Sequence, residues 1–172
     1  IVVANGTHIG GDEQELRTLV TDGVYDRVRV KNHDCEAKDL AYLGTTPHET
    51  PVWIDRTAAE ADLVVCLGAA THHVMAGFGG GRKSILPGIS GRHNHAYSLD
   101  STKLRTNPAI GNGVLAGNPL HEDMCEAASL VNNLFMVNLV MNADMKLSYI
   151  FSGHYLTSWE RACTAVDDIY RV

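Results

Sequence analysis

Residues 68–95, GAATHHVMAGFGGGRKSILPGISGRHNH, constrain the chain more than any other stretch, and they follow an apolar run, Asp62 to Leu67 (DLVVCL). That run reads as a buried strand. The stretch after it is rich in glycine, so it loses much backbone entropy on folding and offers few side chains to bury. A ligand explains such a loop better than packing does. Gly79, Gly80 and Gly81 can take positive φ and present successive N–H groups to an anion. Arg82 and Lys83 come next, which makes phosphate the natural guest. The Walker spacing G-x-x-x-x-G-K-[ST] is not met, because Arg82 stands where that pattern has glycine before Lys83-Ser84. His72-His73 ahead of the loop and His93-Asn94-His95 behind it fit proton transfer or metal ligation. Any one of these imidazoles alone reads equally well as a solvated side chain on a glycine-rich connector.

Around the loop, strand and helix patterns alternate. Residues 1–5 (IVVAN) read as a strand apolar on both faces, as in a parallel sheet. Asp12 and Glu15 make a capping-box start for a helix with Leu16, Leu19 and Val20 on one stripe. Residues 28–31 give the next strand. Residues 40–43 and 51–54 form a short pair, at an edge because of Pro51, with Trp53 in core or edge packing. A short helical link spans 57–61. Residues 99–117 are a long irregular stretch, as in functional lids. Asn118-Pro119 opens a helix with Leu120, Met124, Ala127 and Val131 inward, and His121 in its first turn reads as solvated or capping. Strands over 134–141 and 147–151 precede a final helix, 157–170, with Trp159, Ala162, Cys163 and Val166 on one face. The pattern predicts an α/β fold with a doubly wound, mostly parallel, Rossmann-like sheet and a short two-strand excursion. Ligand-type turns at His8, His33 and 73–83 all follow strands. Open α/β sheets bind ligands beyond the carboxyl ends of their strands, so these turns are expected to converge.

The chain has 172 residues and a net charge of −6. That length suffices for one domain, 1–172, with a core covering roughly 70% of the unfolded chain's surface. The acidic balance argues against nucleic acid and anionic membrane as partners. No apolar run approaches the ~20 residues of a membrane span. Cys35, Cys66, Cys125 and Cys163 are scattered without C-x-x-C, as expected of reduced thiols in a cytoplasm. Ile1 already lies within a strand pattern, so the chain reads as part of a longer protein.

The stretch HVMAGFGGGRKSILPGIS, from His73 to Ser90, resembles the signature of the nickel-pincer-nucleotide lactate racemase family. Other pieces follow in the family's order: Gly6-Thr7-His8, Asn32-His33-Asp34, Asn94-His95, GNPLHEDM from Gly117 to Met124, and Val137-Asn138. The resemblance implies a racemase or epimerase acting on a 2-hydroxy acid, with nickel held in pyridinium-3,5-bisthiocarboxylic acid mononucleotide. It implies that Lys83 forms the thioamide link to that cofactor and that His33 and His73 are opposing acid/base groups. His95 would bind nickel, and Gly79, Gly80, Gly81 and Arg82 would hold the cofactor phosphate. His8 is the candidate at the substrate. A C-terminal domain outside this chain would complete the enzyme.

Two departures stand out. Ile9 occupies the place where family members often carry an arginine that clamps the substrate carboxylate. The stretch between Gly91 and Asn94 is shorter than the family pattern, which leaves His93 as the alternative nickel ligand. From another functional class, the competing reading is a phosphate-, nucleotide- or pincer-cofactor-binding module without turnover. A zinc hydrolase is weaker still, since no H-E-x-x-H spacing is present.

Overall fold

The computed structural model describes residues 1–92 and 107–170. β1 (Val2–Val3) pairs in parallel with β2 (Lys31–Asn32), and α1 (Glu13–Val20) and a single helical turn, α2 (Asp22–Tyr25), lie between them in sequence. The expected capping box is formed: Asp12 Oδ1 accepts from Glu15 N at 2.9 Å, and Glu15 Oε2 accepts from Asp12 N at 2.9 Å. These bonds satisfy amides that the helix itself leaves open.

β3 (Ala41–Thr45) and β4 (Pro51–Ile54) form an antiparallel hairpin with a bulge at Tyr42/Gly44. Pro51, which has no N–H, is the first residue of its strand, where the missing donor costs least. Trp53 lies on the exposed side of this hairpin against Tyr42, with ring centroids 4.9 Å apart. Asp55 then caps α3 (Arg56–Ala59), accepting from Thr57 N at 3.0 Å.

β5 (Val64–Ala69) leads into the small hairpin of β6 (His72–His73) and β7 (Gly77–Phe78), and then into a 3₁₀ turn, Gly81–Ser84. Later come α4 (Pro119–Ser129), β8 (Leu134–Met141), β9 (Leu147–His154) and α5 (Tyr155–Tyr170). α4 buries Leu120, Met124 and Ala127 with Val52, Ile54, Ile85 and Leu86. α5 buries Trp159, Ala162 and Val166 with Val140 and Phe78. Both apolar stripes are those read from the 3.6-residue period. None of the described helices is long and apolar enough to cross a membrane.

The α/β character holds, and the β3–β4 hairpin is the two-strand excursion. The single doubly wound parallel sheet is corrected. Among the described residues the strands pair as four small sheets, and three of the five pairings are antiparallel. β5 runs parallel to β8, but β9 turns back antiparallel on β8. The reason is the connection. Residues 142–146 form a tight turn in which Asn142 Oδ1 accepts from Asp144 N at 3.0 Å and Lys146 N at 2.9 Å. A parallel return needs a crossover of a dozen or more residues.

Asn118 ties α4 to the centre of the molecule. Its Oδ1 accepts from Leu120 N at 3.1 Å, and its Nδ2 donates to Met75 O and Val114 O, each at 2.9 Å. The side chain is fully buried. Asn118→Ala should cost about 2 kcal/mol or more, beyond a simple N-cap loss, because buried carbonyls also lose their donor. Urea denaturation of wild type and variant measures the difference, and a loss below ~0.5 kcal/mol would show the network to be dispensable.

Candidate functional site

The glycine loop is held by its own backbone and by Arg82. Gly79 N donates to Thr71 O at 2.7 Å. Gly80 and Gly81 have φ of 68° and 53°, in the left-handed region that glycine adopts without strain. A Cβ on Gly81 would stand 2.3 Å from Trp159 Cδ1, so the close approach of this loop to α5 requires glycine. Trp159 Nε1 also donates to Gly79 O at 2.9 Å.

Arg82 is 1% exposed. Its Nη1 donates to Phe78 O at 2.8 Å and its Nη2 to Ala76 O at 2.6 Å. Its guanidinium lies 3.8 Å over the Trp159 ring. The sequence presents Arg82 as an anion ligand; the structure turns it inward, where it braces the loop. Gly79 likewise spends its amide on Thr71.

Lys83 faces the other way. A cleft of about 260 Å³ is lined by residues 5–8 after β1 and, opposite them, by Gly80, Lys83 and Ser84. Gly6 N donates to Gly88 O at 2.9 Å and holds the two walls together. Burial first, and then the Arg82 charge, push the Lys83 ammonium down to about 8. A larger fraction of this amine is therefore neutral at neutral pH than of an ordinary lysine, and a neutral amine is the nucleophilic form. His8 is exposed at the rim of the same cleft, so the expected convergence of His8 with Lys83 is present. Ile9 is 100% exposed.

The two candidate acid/base histidines are held differently, and neither is among the residues lining that cleft. Nδ1 of His73 accepts from Met75 N at 3.2 Å and Ala76 N at 3.0 Å. Nδ1 is thus the acceptor and Nε2 carries the proton of the neutral ring. Burial, then Lys83 and Arg82, lower the His73 pKa and favour that neutral ring. His33 is 3% exposed, and its Nε2 meets Ser90 O at 2.9 Å. Asn5, at the end of β1, fastens its backbone: Asn5 Oδ1 accepts from His33 N at 3.0 Å and Asn5 Nδ2 donates to His33 O at 3.1 Å. His93 and His95, the nickel candidates, lie outside the described residues.

The profile of the lactate racemase N-terminal domain matches residues 1–107. The chain belongs to this family. It is 34% identical over 177 residues to a lactate racemase of Thermoanaerobacterium thermosaccharolyticum and 30% identical over 173 residues to one of Lactiplantibacillus plantarum. Each alignment takes in 100% of this chain, but only 40% and 41% of the relatives' own lengths. The lactate racemase apoprotein structure from T. thermosaccharolyticum superposes with a TM-score of 0.91 at 34% identity, covering 98% of this chain and 40% of that one. A Thermotoga maritima protein superposes at 0.77 with 22% identity, covering 98% and 46%, and shares the fold.

The sequence left several contacts unread. Asp55 lies 3.6 Å from His33 through Oδ2, and Trp159 backs the loop from far along the chain. A strand-end Asp preceding Arg-Thr reads as a helix cap alone, and Trp159 as core. Among the described residues, one cluster has metal-ligand spacing: His48, Asp123 and Glu126. Its donors are already engaged. His48 Nδ1 meets Glu126 Oε2 at 2.8 Å, and Asp123 accepts from Thr46 Oγ1 at 2.6 Å and Thr50 Oγ1 at 2.8 Å. His121, expected to be solvated or capping, is instead half-buried and stacked on Trp159, with centroids 5.5 Å apart.

Burial first, then the Arg82 charge, push His121 down to about 4. A histidine with a depressed folded-state pKa binds more protons when unfolded, so its contribution is present above the unfolded value of ~6.5 and is lost as pH falls toward about 4. His121→Phe keeps an aromatic ring against Trp159 and should flatten the fall in stability across that window. Melting temperatures of both proteins at stepped pH check this, and parallel curves would remove His121 from the acid response.

Proposed function

We propose that this chain is part of a 2-hydroxy acid racemase that carries a nickel-pincer nucleotide on Lys83. The observation that carries the reading is the amine itself, lowered to about 8 and facing a cleft built from the ends of β1 and the glycine loop. The residues present fit such a group at that point: a nucleophilic amine, the Gly80 backbone and the Ser84 hydroxyl share one wall. They do not supply Arg82 as a phosphate ligand, because its guanidinium is spent inside the loop. By the family resemblance, His95 is the nickel ligand.

When bound, the cofactor supplies an electrophilic hydride acceptor. The chain's own residues handle the proton. Removing hydride from the carbinol carbon requires the hydroxyl proton to leave, and His33 and His73 are the groups assigned to accept and return it. Burial favours the neutral ring of His73. Its Nδ1 already accepts from Met75 N and Ala76 N, so in this arrangement it offers Nε2–H to the substrate oxygen as a hydrogen-bond donor and takes up a proton only when Nε2 is bare. His8 is the candidate for contact with the substrate oxygens. A lactate-like acid is the expected substrate.

A second reading has one observation behind it. Ile9, at the position the resemblance gives to the carboxylate clamp, is an apolar, fully exposed side chain, so a module that carries the cofactor without turnover is the alternative. Full-length protein made together with the cofactor-forming enzymes separates the two. Racemisation predicts a heavy adduct on the Lys83 peptide, about one nickel per chain, and interconversion of L- and D-lactate by chiral chromatography. Lys83→Ala should lose adduct and activity together. Adduct and nickel without interconversion of lactate or other 2-hydroxy acids would favour the carrier reading. An unmodified Lys83 would remove both.

A further inference from the structure

β5 is built like a central strand, yet among the described residues it lies at the edge of its sheet, in the order β5–β8–β9. Val64, Val65, Cys66, Leu67 and Ala69 carry no charge along it, and its register with β8 runs without a bulge. Val64 and Cys66 pack inward on the core under α4. Strands apolar on both faces belong inside parallel sheets. A sheet edge left open to water is normally blunted by charge, proline or a bulge, because bare strands invite pairing. The opposite edge follows that rule: β9 carries Ser148, Ser152 and His154, and its pairing with β8 is irregular at Val140/Met141. β5 has none of these devices.

Its backbone is open on one side. Val64 N donates to Asn133 O at 3.2 Å and Ala70 N to Leu139 O at 2.8 Å. Direction alternates along a strand, so Cys66 and Gly68 also turn their polar groups to β8, and Val65 and Leu67 turn theirs away. Among the described residues nothing meets the N–H and C=O groups of Val65 and Leu67. The side chains of these two are also bare, at 56% and 69% exposure. Phe135 and Ile150 lie on the same face of the sheet and are exposed with them. The other face is covered by α5, where Asn138 Nδ2 donates to Ser158 Oγ at 3.2 Å and Val140 packs on Trp159. A contiguous apolar face beside an open backbone edge is the surface that strand addition uses.

We propose that a strand from the part of the full-length protein outside residues 1–172 adds to the free edge of β5, and that the segment carrying it covers Val65, Leu67 and Phe135. This chain takes in only 40% and 41% of the lengths of its lactate racemase relatives, so a protein of that length has ample polypeptide for the purpose. A strand on the same polypeptide meets the edge at a high effective concentration, an advantage that a second copy lacks. The position ties the edge to the reactive amine. A Cβ on Gly80 would stand 2.6 Å from Ala69 O, so the end of β5 lies directly against the loop that forms one wall of the Lys83 cleft. The added strand borders that cleft and fastens the remainder of the protein to it by main-chain bonds.

Hydrogen–deuterium exchange of the full-length wild-type protein, read at single residues, is the test. The amides of Val65 and Leu67 should exchange within about tenfold of those of Cys66 and Gly68, which are bonded to β8. Free exchange at Val65 and Leu67 beside protected Cys66 and Gly68 overturns the proposal. The same measurement over a range of protein concentration, with the assembly state followed by sedimentation velocity, separates the occupants. Protection that persists in the monomer is expected. Protection that disappears as a dimer dissociates assigns the edge to a second copy and overturns the proposal. Leu67→p-benzoylphenylalanine then names the partner after irradiation and peptide mapping. A cross-link within one polypeptide to a residue outside 1–172 is expected, and a cross-link confined to residues 1–172 overturns the proposal. None of these readouts depends on cofactor or turnover, so they stand whatever the fate of the racemase reading.

Discussion

The Arg82 guanidinium holds the functional region together. Its charge is buried, which is costly unless hydrogen bonds offset the loss of water. Phe78 O and Ala76 O take two donors, and Trp159 covers a face. Arginine suits this place because its planar fork can bond and stack at once, which lysine cannot do. The contact joins β7 and the 3₁₀ turn to α5, which lies far along the chain. It also adds to the local field: burial first, and then this charge, lower Lys83, His73 and His121.

The glycines follow from that arrangement. The loop has to pass against the Trp159 ring, and Gly81 is the only kind of residue that clears it in the left-handed region. Once Arg82 is inside, the next residue is forced out toward the turn after β1. Lys83 therefore gains a half-buried place on the cleft wall, and burial does most of the work on its amine. Asn5 and the Gly6–Gly88 bond hold the end of β1 beside the loop, which is how His8 and Lys83 come to line one cleft.

Much of this was legible. The capping box at Asp12, the Asn118-Pro119 start of α4, and the inward stripes of α4 and α5 appear where the residue pattern places them, because each is set by bonds or periodicity within a few residues. The sheet was not legible in the same way. Strand patterns record burial on one face or two and carry no pairing direction; the tight turn at 142–146 decided that β9 runs antiparallel. Arg82 next to Lys83 invited a shared reading as anion ligands. Adjacent residues in a tight turn point apart, and only the surroundings say which faces the cleft. His121 was misread for a similar reason, since its partner, Trp159, lies on another helix.

The sequence by itself determined the α/β class, the starts of α1 and α4, the family and the glycine loop as the place of interest, because composition, capping and local spacing are written in consecutive residues. Only the tertiary structure decided which cation is spent on the fold and which remains for chemistry. It also decided that His73 offers Nε2–H while His33 is caught between Ser90 O and Asp55. Those outcomes depend on desolvation and on acceptors from distant segments. A side chain's chemistry is fixed by its type, but its protonation and direction are fixed by what the fold packs against it.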